Sequence, residues 1–111
     1  MPDYSIPINQ MGSHVEARAL TASGPHTVAA ADHVLLVSYN GATQLNLPAS
    51  PRLGKTYVIT DSGGFCSATN TITVDCDGAE LISGGANYVL MSPYESVSFV
   101  SLGVGAGWTV L

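Results

Sequence analysis

Short runs in which apolar and polar residues alternate recur along the chain, and turn-forming residues separate them. In the run 43–48, Leu45 and Leu47 fall on one face of an extended strand and the polar residues between them fall on the other. No stretch of a dozen residues combines apolar positions at helical spacing with helix-forming neighbours. The pattern therefore predicts an all-β fold. The further runs predicted as strands are 26–30, 33–39, 55–61, 70–76, 79–83, 87–92, 95–101 and 108–111.

The predicted strands are short, regularly spaced and polar on one side, which is typical of antiparallel sheets with one face on a core. Between the runs 33–39 and 43–48, the dipeptide Asn40-Gly41 has the sequence of a tight two-residue hairpin. We therefore expect a compact antiparallel sandwich or barrel-like module. This single β domain should span residues 21–111.

Residues 1–20 follow a different pattern, with two prolines and only scattered apolar positions. They predict an extended N-terminal arm. Because such an arm is not expected to be ordered alone, a neighbouring subunit is the natural surface for it to lie on. Its apolar residues are the candidates for contact with a partner. They are Ile6, Ile8 and Met11.

The charge balance limits the class of partner. Eight acidic residues against three Lys and Arg give a formal net charge of −5, which argues against binding of nucleic acid. Charged residues make up 10% of the chain, where about 25% is usual. A subunit interface would explain this weakly charged surface, and so would a neutral surface rich in Ser and Thr.

The N-terminal stretch contains Asp3 and no apolar block, so neither a signal peptide nor a membrane span is expected there. The chain is therefore predicted to be made in a cytoplasm. In that compartment Cys66 and Cys76 are expected to be free thiols. A disulfide across a hairpin is the alternative, and it requires a favourable register.

Candidate chemistry is sparse in this sequence. Ser62, in the stretch TDSGG, lacks the preceding glycine and the following helix of a nucleophile elbow, so a turn capped by Asp61 is predicted instead. The stretch VDCDG at 74–78 places two carboxylates close together but lacks the other ligands of a calcium loop. The histidines have no zinc-like spacing with the cysteines. We predict no catalytic residue, no metal site and no cofactor.

The aromatic residues are distributed over the predicted strands rather than gathered into one platform. Tyr57, Phe99 and Trp108 are predicted to pack in the core. Tyr94 lies in the turn SPYES and is the one aromatic residue that we predict as a possible surface contact.

From residue 19 onward, the chain resembles a small β-module of tailed-phage virion proteins, especially tail fibres and tailspikes. The resemblance lies in ordered phrases, of which each alone is weak. They are HTVAAADHVLLVS, ATQLNLPASPRLGKTYVITDSGG, SATNTITVDCDGAELI and ANYVLMSPYESVSFVSLGVGAGWTVL.

The resemblance implies an all-β module, commonly a homotrimer, with a structural or receptor-binding role and no portable set of catalytic residues. In fibres the module usually ends a long chain, whereas here it follows about 20 residues. The chain is therefore more similar to a capsid decoration (cement) protein, made in the host cytoplasm and bound to the major capsid protein on the capsid surface of the virion. A tail-fibre or tail-tip knob that recognises a host receptor is the alternative, and a lectin-like accessory module is a third.

Overall fold

The computed structural model describes residues 16–111, and within them every regular element is a β-strand. The all-β prediction is confirmed. Most strands fall where the alternating runs predicted them, because these runs place one apolar face on a core. In chain order the strands are β1 (Ala17–Leu20), β2 (His26–Thr27), β3 (Val34–Val37), β4 (Thr43–Asn46), β5 (Thr56–Asp61), β6 (Ile72–Asp75), β7 (Asn87–Leu90), β8 (Ser96–Ser101) and β9 (Trp108–Val110).

The first six strands alternate between two sheets, so they wind as a coil. Sheet A has the order β1-β3-β5-β8-β9, and sheet B has the order β2-β4-β6-β7. In sheet A, β1 pairs in parallel with β3 and β3 with β5. In sheet B, β2 pairs in parallel with β4 and β4 with β6. The last three strands pair antiparallel, β7 with β6, β8 with β5 and β9 with β8, which ends the coil.

The strand pairing therefore differs from the prediction of a wholly antiparallel module. The expected hairpin at Asn40-Gly41 is wrong, because β3 and β4 belong to different sheets and each pairs with the next turn of the coil. Alternation fixes which face of a strand is buried, but it does not say which strand lies alongside. Two strands that face one core from opposite sides carry the same signal as two strands of a hairpin.

The core lies between the two sheets and is centred on three large aromatic residues. Tyr57, Phe99 and Trp108 are fully buried, as predicted from the sequence. The rings of Tyr57 and Trp108 lie 5.6 Å apart. Tyr88 of sheet B meets Phe99 of sheet A edge to face at 5.7 Å, and this contact joins the two layers.

The first turn of the coil has polar residues at positions that are apolar in the next turn. Arg18 is in register with the buried Leu35. Its guanidinium forms a bidentate ion pair with the carboxylate of Asp32, and the shorter of the two hydrogen bonds is 2.8 Å long. The same guanidinium donates to the backbone carbonyl of Thr27 at 3.0 Å. The apolar interior is thus closed by a charged pair at this end, as in the terminal repeats of solenoids.

The position of β1 also changes the predicted boundary of the arm. Residues 17–20 pair with β3 and belong to sheet A, so this part of the predicted arm is wrong. The register brings Leu20 beside Val37, and this buried contact explains why the strand joins the domain. The candidate arm contacts Ile6, Ile8 and Met11 lie outside the described residues.

The loops gather at two opposite ends of the strands, and we name each end after its most exposed aromatic or aliphatic residue. The Tyr94 end comprises the loops 38–42, 62–71 and 91–95. The Val104 end comprises the loops 47–55, 76–86 and 102–107. These two ends carry the large apolar side chains that protrude from the module.

Candidate binding surfaces

A single buried carboxylate organises the Tyr94 end. Asp61, which is 1% exposed, ends β5 and accepts four backbone hydrogen bonds. Its Oδ1 accepts from Gly64 and Phe65 at 3.1 and 3.3 Å, and its Oδ2 accepts from Cys66 and Tyr94 at 2.9 and 3.0 Å. The predicted role of Asp61 as a cap of the TDSGG turn is confirmed, and the same carboxylate also holds a loop more than thirty residues away.

These hydrogen bonds also decide the charge state of Asp61. Burial alone would raise the pKa of this carboxyl, but the four amide donors stabilise the anion and lower the pKa below its ordinary value of 3.8. Asp61 is therefore ionised at neutral pH. Burial and this neighbouring anion in turn raise the pKa of the Cys66 thiol to about 11.

Tyr94 is held at this end in a backbone conformation that is rare for tyrosine. Its φ is +61°, in the left-handed region, and its side chain is 69% exposed. The ring lies over Gly64, where an added Cβ would come within 2.5 Å of the tyrosine Cζ. Outliers of this kind cluster at functional sites because the surroundings must enforce them. Tyr94 remains a predicted contact residue, now with a rigid support.

Two further apolar side chains are exposed at the Tyr94 end. Phe65 is 40% exposed and Met91 is 54% exposed. The turn that follows Met91 is closed by Glu95, whose carboxylate accepts from the backbone amides of Met91 and Ser92 at 3.0 and 3.1 Å. The exposed aromatic and thioether groups therefore sit on loops that carboxylates hold in place.

Ser50 organises the opposite end of the module. Its hydroxyl donates to the carbonyl of Gly103 at 2.9 Å and accepts from the amide of Gly107 at 2.9 Å. Its own amide donates to the carboxylate of Glu80, and its carbonyl accepts from Gly105. One buried serine thus ties together the three loops of the Val104 end.

The Val104 end presents several exposed aliphatic groups together. Val104 is 86% exposed and Leu53 is 74% exposed, each at the tip of a glycine-containing turn. Leu81 and Leu102, each close to half exposed, lie in the same tied loops. The basic residues Arg52 and Lys55 flank Leu53, and Lys55 places its ammonium 5.0 Å from the centroid of the Tyr57 ring.

The other sequence candidates have structural partners. The hydroxyl of Ser62 donates to the carbonyl of Val37 at 3.2 Å. Asp75 accepts a hydrogen bond from Gln44, and the carbonyl of Asp77 accepts from Glu80 to close a turn. Within residues 16–111, no three His, Cys, Asp or Glu side chains are grouped so that they could hold a metal ion.

Cys66 and Cys76 are both free thiols, as expected, so the alternative of a disulfide between them is ruled out. Cys66 is buried, and its thiol lies 3.8 Å from the carbonyl of Leu90. Among the described residues there is no helix with the length and apolar character needed to cross a membrane.

No family model matches the chain, and a search of curated proteins finds no match.

Sequence reasoning missed Ser50 and the apolar tips of the Val104 end. The stretches PRLG and GVGAG lie between the runs predicted as strands, yet each contains one large aliphatic residue, Leu53 or Val104. An aliphatic residue at the tip of a tight turn has no core to enter, so its presence was the available signal. For Ser50 the sequence offers no comparable signal.

Proposed function

We propose that this chain is a structural protein of a tailed-phage particle, a homotrimeric capsid decoration protein that binds the major capsid protein and stabilises the shell. The observation that carries this proposal is the Val104 end. There, exposed aliphatic side chains stand on loops that are fixed before any partner arrives. The ordered sequence phrases supply the link to virion proteins.

Fixed loops favour binding because little conformational entropy remains to be lost on docking. Burying apolar surface contributes about 25 cal/mol per Å², so a few aliphatic tips provide a modest contact for each subunit. A trimer multiplies such modest contacts, since three linked sites engage one lattice together.

Charge suggests what kind of capsid surface fits. The chain carries a net charge of −5, but two of its three basic residues, Arg52 and Lys55, flank the exposed Leu53. An acidic patch with an apolar hollow on the shell would complement this end, and the other surfaces of the acidic chain would be repelled. The predicted arm contacts Ile6, Ile8 and Met11 would add a second attachment as a strand on a capsid sheet.

The proposal is tested with capsids of the encoding phage that lack the protein. The double substitution Leu53→Asp and Val104→Asp should weaken capsid binding at least tenfold, since about 1.4 kcal/mol suffices for a factor of ten. The matched control is Met91→Asp, an exposed apolar side chain at the opposite end, which should bind normally. Equal binding by the double variant and the control would contradict the proposed docking end.

A receptor-binding knob of a tail fibre or tail tip is the second candidate, and Tyr94 favours it. A rigidly held, exposed tyrosine is a suitable platform for stacking on a sugar or an apolar receptor surface. Copy number separates the two functions. Hundreds of copies per particle indicate a capsid component, whereas a dozen or fewer, together with lost host adsorption in Tyr94→Ala, would replace the decoration role with the knob.

A further inference from the structure

The dipeptide Asn40-Gly41 forms a bend that carries the chain from sheet A to sheet B at the Tyr94 end. Neither residue has the positive φ that a two-residue hairpin turn of type I′ requires. Instead, the amide of Gly41 donates to the carbonyl of Tyr39 at 2.9 Å, which makes a γ-turn with Asn40 at its centre. Asn40 is exposed, so water reaches its side chain.

Close packing explains why glycine follows Asn40. A Cβ added to Gly41 would lie 2.6 Å from Cε2 of the Tyr39 ring, so the ring packs directly on bare backbone. The missing side chain also has a chemical consequence. Because Gly41 has no Cβ, nothing on this residue hinders the approach of its backbone nitrogen to the carboxamide of Asn40.

An asparagine followed by glycine can lose ammonia when its own backbone attacks the side chain. A solvent base removes the amide proton of Gly41, and the nitrogen forms a bond to Cγ of Asn40. The bond from Cγ to Nδ2 breaks, ammonia leaves with a proton from water, and a five-membered cyclic imide remains. Water then opens the imide at either of its two carbonyls and returns a proton to the glycine nitrogen. The products are isoaspartate and aspartate in place of the asparagine.

Asn70 places a hydrogen-bond donor on the carbonyl that this reaction attacks. Its Nδ2 donates to Oδ1 of Asn40 at 3.1 Å and joins the loops 38–42 and 62–71. Asn70 is itself fixed, since its backbone amide donates to the hydroxyl of Ser67 at 3.0 Å and its carbonyl accepts from the Ser67 amide at 3.2 Å. Negative charge develops on Oδ1 as the nitrogen attacks Cγ, and a donor already in place stabilises it.

The other asparagines are each followed by a residue with a long, bulky or β-branched side chain, which hinders the attacking nitrogen. These pairs are Asn9-Gln10, Asn46-Leu47, Asn70-Thr71 and Asn87-Tyr88. The amide of Leu47 is also held by the carbonyl of Asp75 at 2.8 Å. The pair Asp77-Gly78 is chemically related, but ring closure and reopening at an aspartate restore the same mass, so the two reactions are distinguishable.

We propose that Asn40 is a modification site, at which the folded chain deamidates spontaneously through Gly41 with Asn70 as the donor to the reacting carbonyl. The reaction needs only water and a solvent base. The peptide bond between Asn40 and Gly41 must rotate towards the side chain, which breaks the hydrogen bond from Gly41 to Tyr39. Breaking one exposed hydrogen bond should slow the reaction by no more than about tenfold relative to the unfolded chain.

The modification changes the Tyr94 end of the module. It adds one negative charge to a chain whose formal net charge is −5, and isoaspartate lengthens the backbone of the bend by one carbon. The bend packs on the loop 62–71, since a Cβ added to Gly63 would lie 2.6 Å from the hydroxyl oxygen of Ser38. The Val104 end lies at the other end of the strands. The inference is therefore independent of the capsid role, and its failure would leave that role untouched.

Mass spectrometry of the purified full chain tests the inference, with the chain incubated at mildly alkaline pH in buffer and in urea. In heavy-oxygen water, the tryptic peptide 19–52 should lose ammonia and take up one heavy oxygen, and fragmentation should place the change at Asn40 rather than Asn46. The rate should rise with pH, because the attacking nitrogen must first lose its proton. The rate in buffer should lie within about tenfold of the rate in urea.

Three variants separate the contributions to the rate. Asn40→Gln should remain unmodified at this position, because its longer side chain would have to close a six-membered ring. Asn70→Ala should slow the folded chain at least about threefold and leave the rate in urea unchanged. The matched control Thr69→Ala, an exposed residue of the same loop, should leave both rates unchanged. A folded chain slowed by more than about tenfold relative to urea, or equal rates in Asn70→Ala and Thr69→Ala, would overturn the proposal.

Discussion

The two loop ends of the module are each tied by one buried polar residue, but the two residues differ in charge. At the Tyr94 end, the Asp61 carboxylate accepts four backbone amides. At the Val104 end, the Ser50 hydroxyl donates one hydrogen bond and accepts another, and its backbone groups make two more connections. Asp61 holds two loops in place with an anion, and Ser50 connects three loops through neutral groups.

Because only one of the two residues is ionisable, the stability of the Tyr94 end should depend on pH. Hydrogen bonds to an anion are stronger than those between neutral groups, so the Tyr94 end has the stronger tie at neutral pH. That tie requires an ionised carboxyl. Because the amide donors lower the pKa of Asp61 in the folded state, its stabilising effect is present above the ordinary pKa of 3.8 and is lost as the pH falls below it.

The largest effect is expected from Asp61→Asn, which removes the anion and turns an amide donor towards backbone donors. We expect the free energy of unfolding to fall by about 2–4 kcal/mol at pH 7, because several charge-assisted hydrogen bonds are lost in a buried site. Urea unfolding measures this loss. The control Asp75→Asn affects a half-buried carboxylate that accepts from Gln44, and it should cost about 1 kcal/mol or less.

Acid should reduce the difference in free energy of unfolding between the wild type and Asp61→Asn, because protonation removes the same anion from the wild type. The stability gap measured at pH 7 should therefore narrow progressively below about pH 4. Burial alone would raise the pKa of Asp32, but hydrogen bonds from Arg18 and the Ala29 amide lower it. Because Asp32 is present in both proteins, its titration changes both free energies of unfolding equally and does not affect the difference between them. A gap that stays constant down to pH 3 would show that the charge of Asp61 does not carry its effect.

Ser50→Ala removes the two hydrogen bonds of the serine hydroxyl and should lower the free energy of unfolding less than Asp61→Asn does. The buried amide of Gly107 would lose its partner and the carbonyl of Gly103 would lose one of its donors, which costs about 1–2 kcal/mol. The loss of free energy of unfolding should be the same at pH 7 and pH 3, in contrast to Asp61→Asn, whose loss should be smaller at pH 3. Ser62→Ala is the matched control, because its exposed hydroxyl makes one hydrogen bond to Val37, and it should change stability by about 0.5 kcal/mol or less. Equal losses in both serine variants would contradict the central role of Ser50.

The sequence was sufficient to predict most of the strands and their buried faces, but it assigned β1 to the extended arm. Leu45, Ile59 and Val74 point inward as the alternation required, and the predicted run 55–61 matches β5 closely. This success has a local cause, since the side-chain period of a strand can be seen within a few residues. The run 79–83 was overpredicted, and within it only Ile82 forms isolated bridges.

The pairing and the loop ties could not be predicted in the same way. The parallel coil brings β3 beside β5, more than twenty residues later, and no local pattern specifies that neighbour. Similarly, the TDSGG turn revealed the local capping role of Asp61 but not its bond to the amide of Tyr94. These contacts are products of the folded topology, so the candidate surfaces became visible only in three dimensions.

The smallest effect should come from Tyr94→Gly, which separates contact from stability at the Tyr94 end. A left-handed conformation costs a non-glycine residue about 1–2 kcal/mol, and glycine removes that strain but loses about 1 kcal/mol in backbone entropy. The amide bonded to Asp61 is retained. We therefore expect the free energy of unfolding, measured with urea, to change by about 0.5 kcal/mol or less. The β-branched variant Tyr94→Val should be clearly destabilised. Loss of more than about 1.5 kcal/mol in Tyr94→Gly would mean that the ring over Gly64 is itself a structural contact, and the case for Tyr94 as a free binding residue would fail.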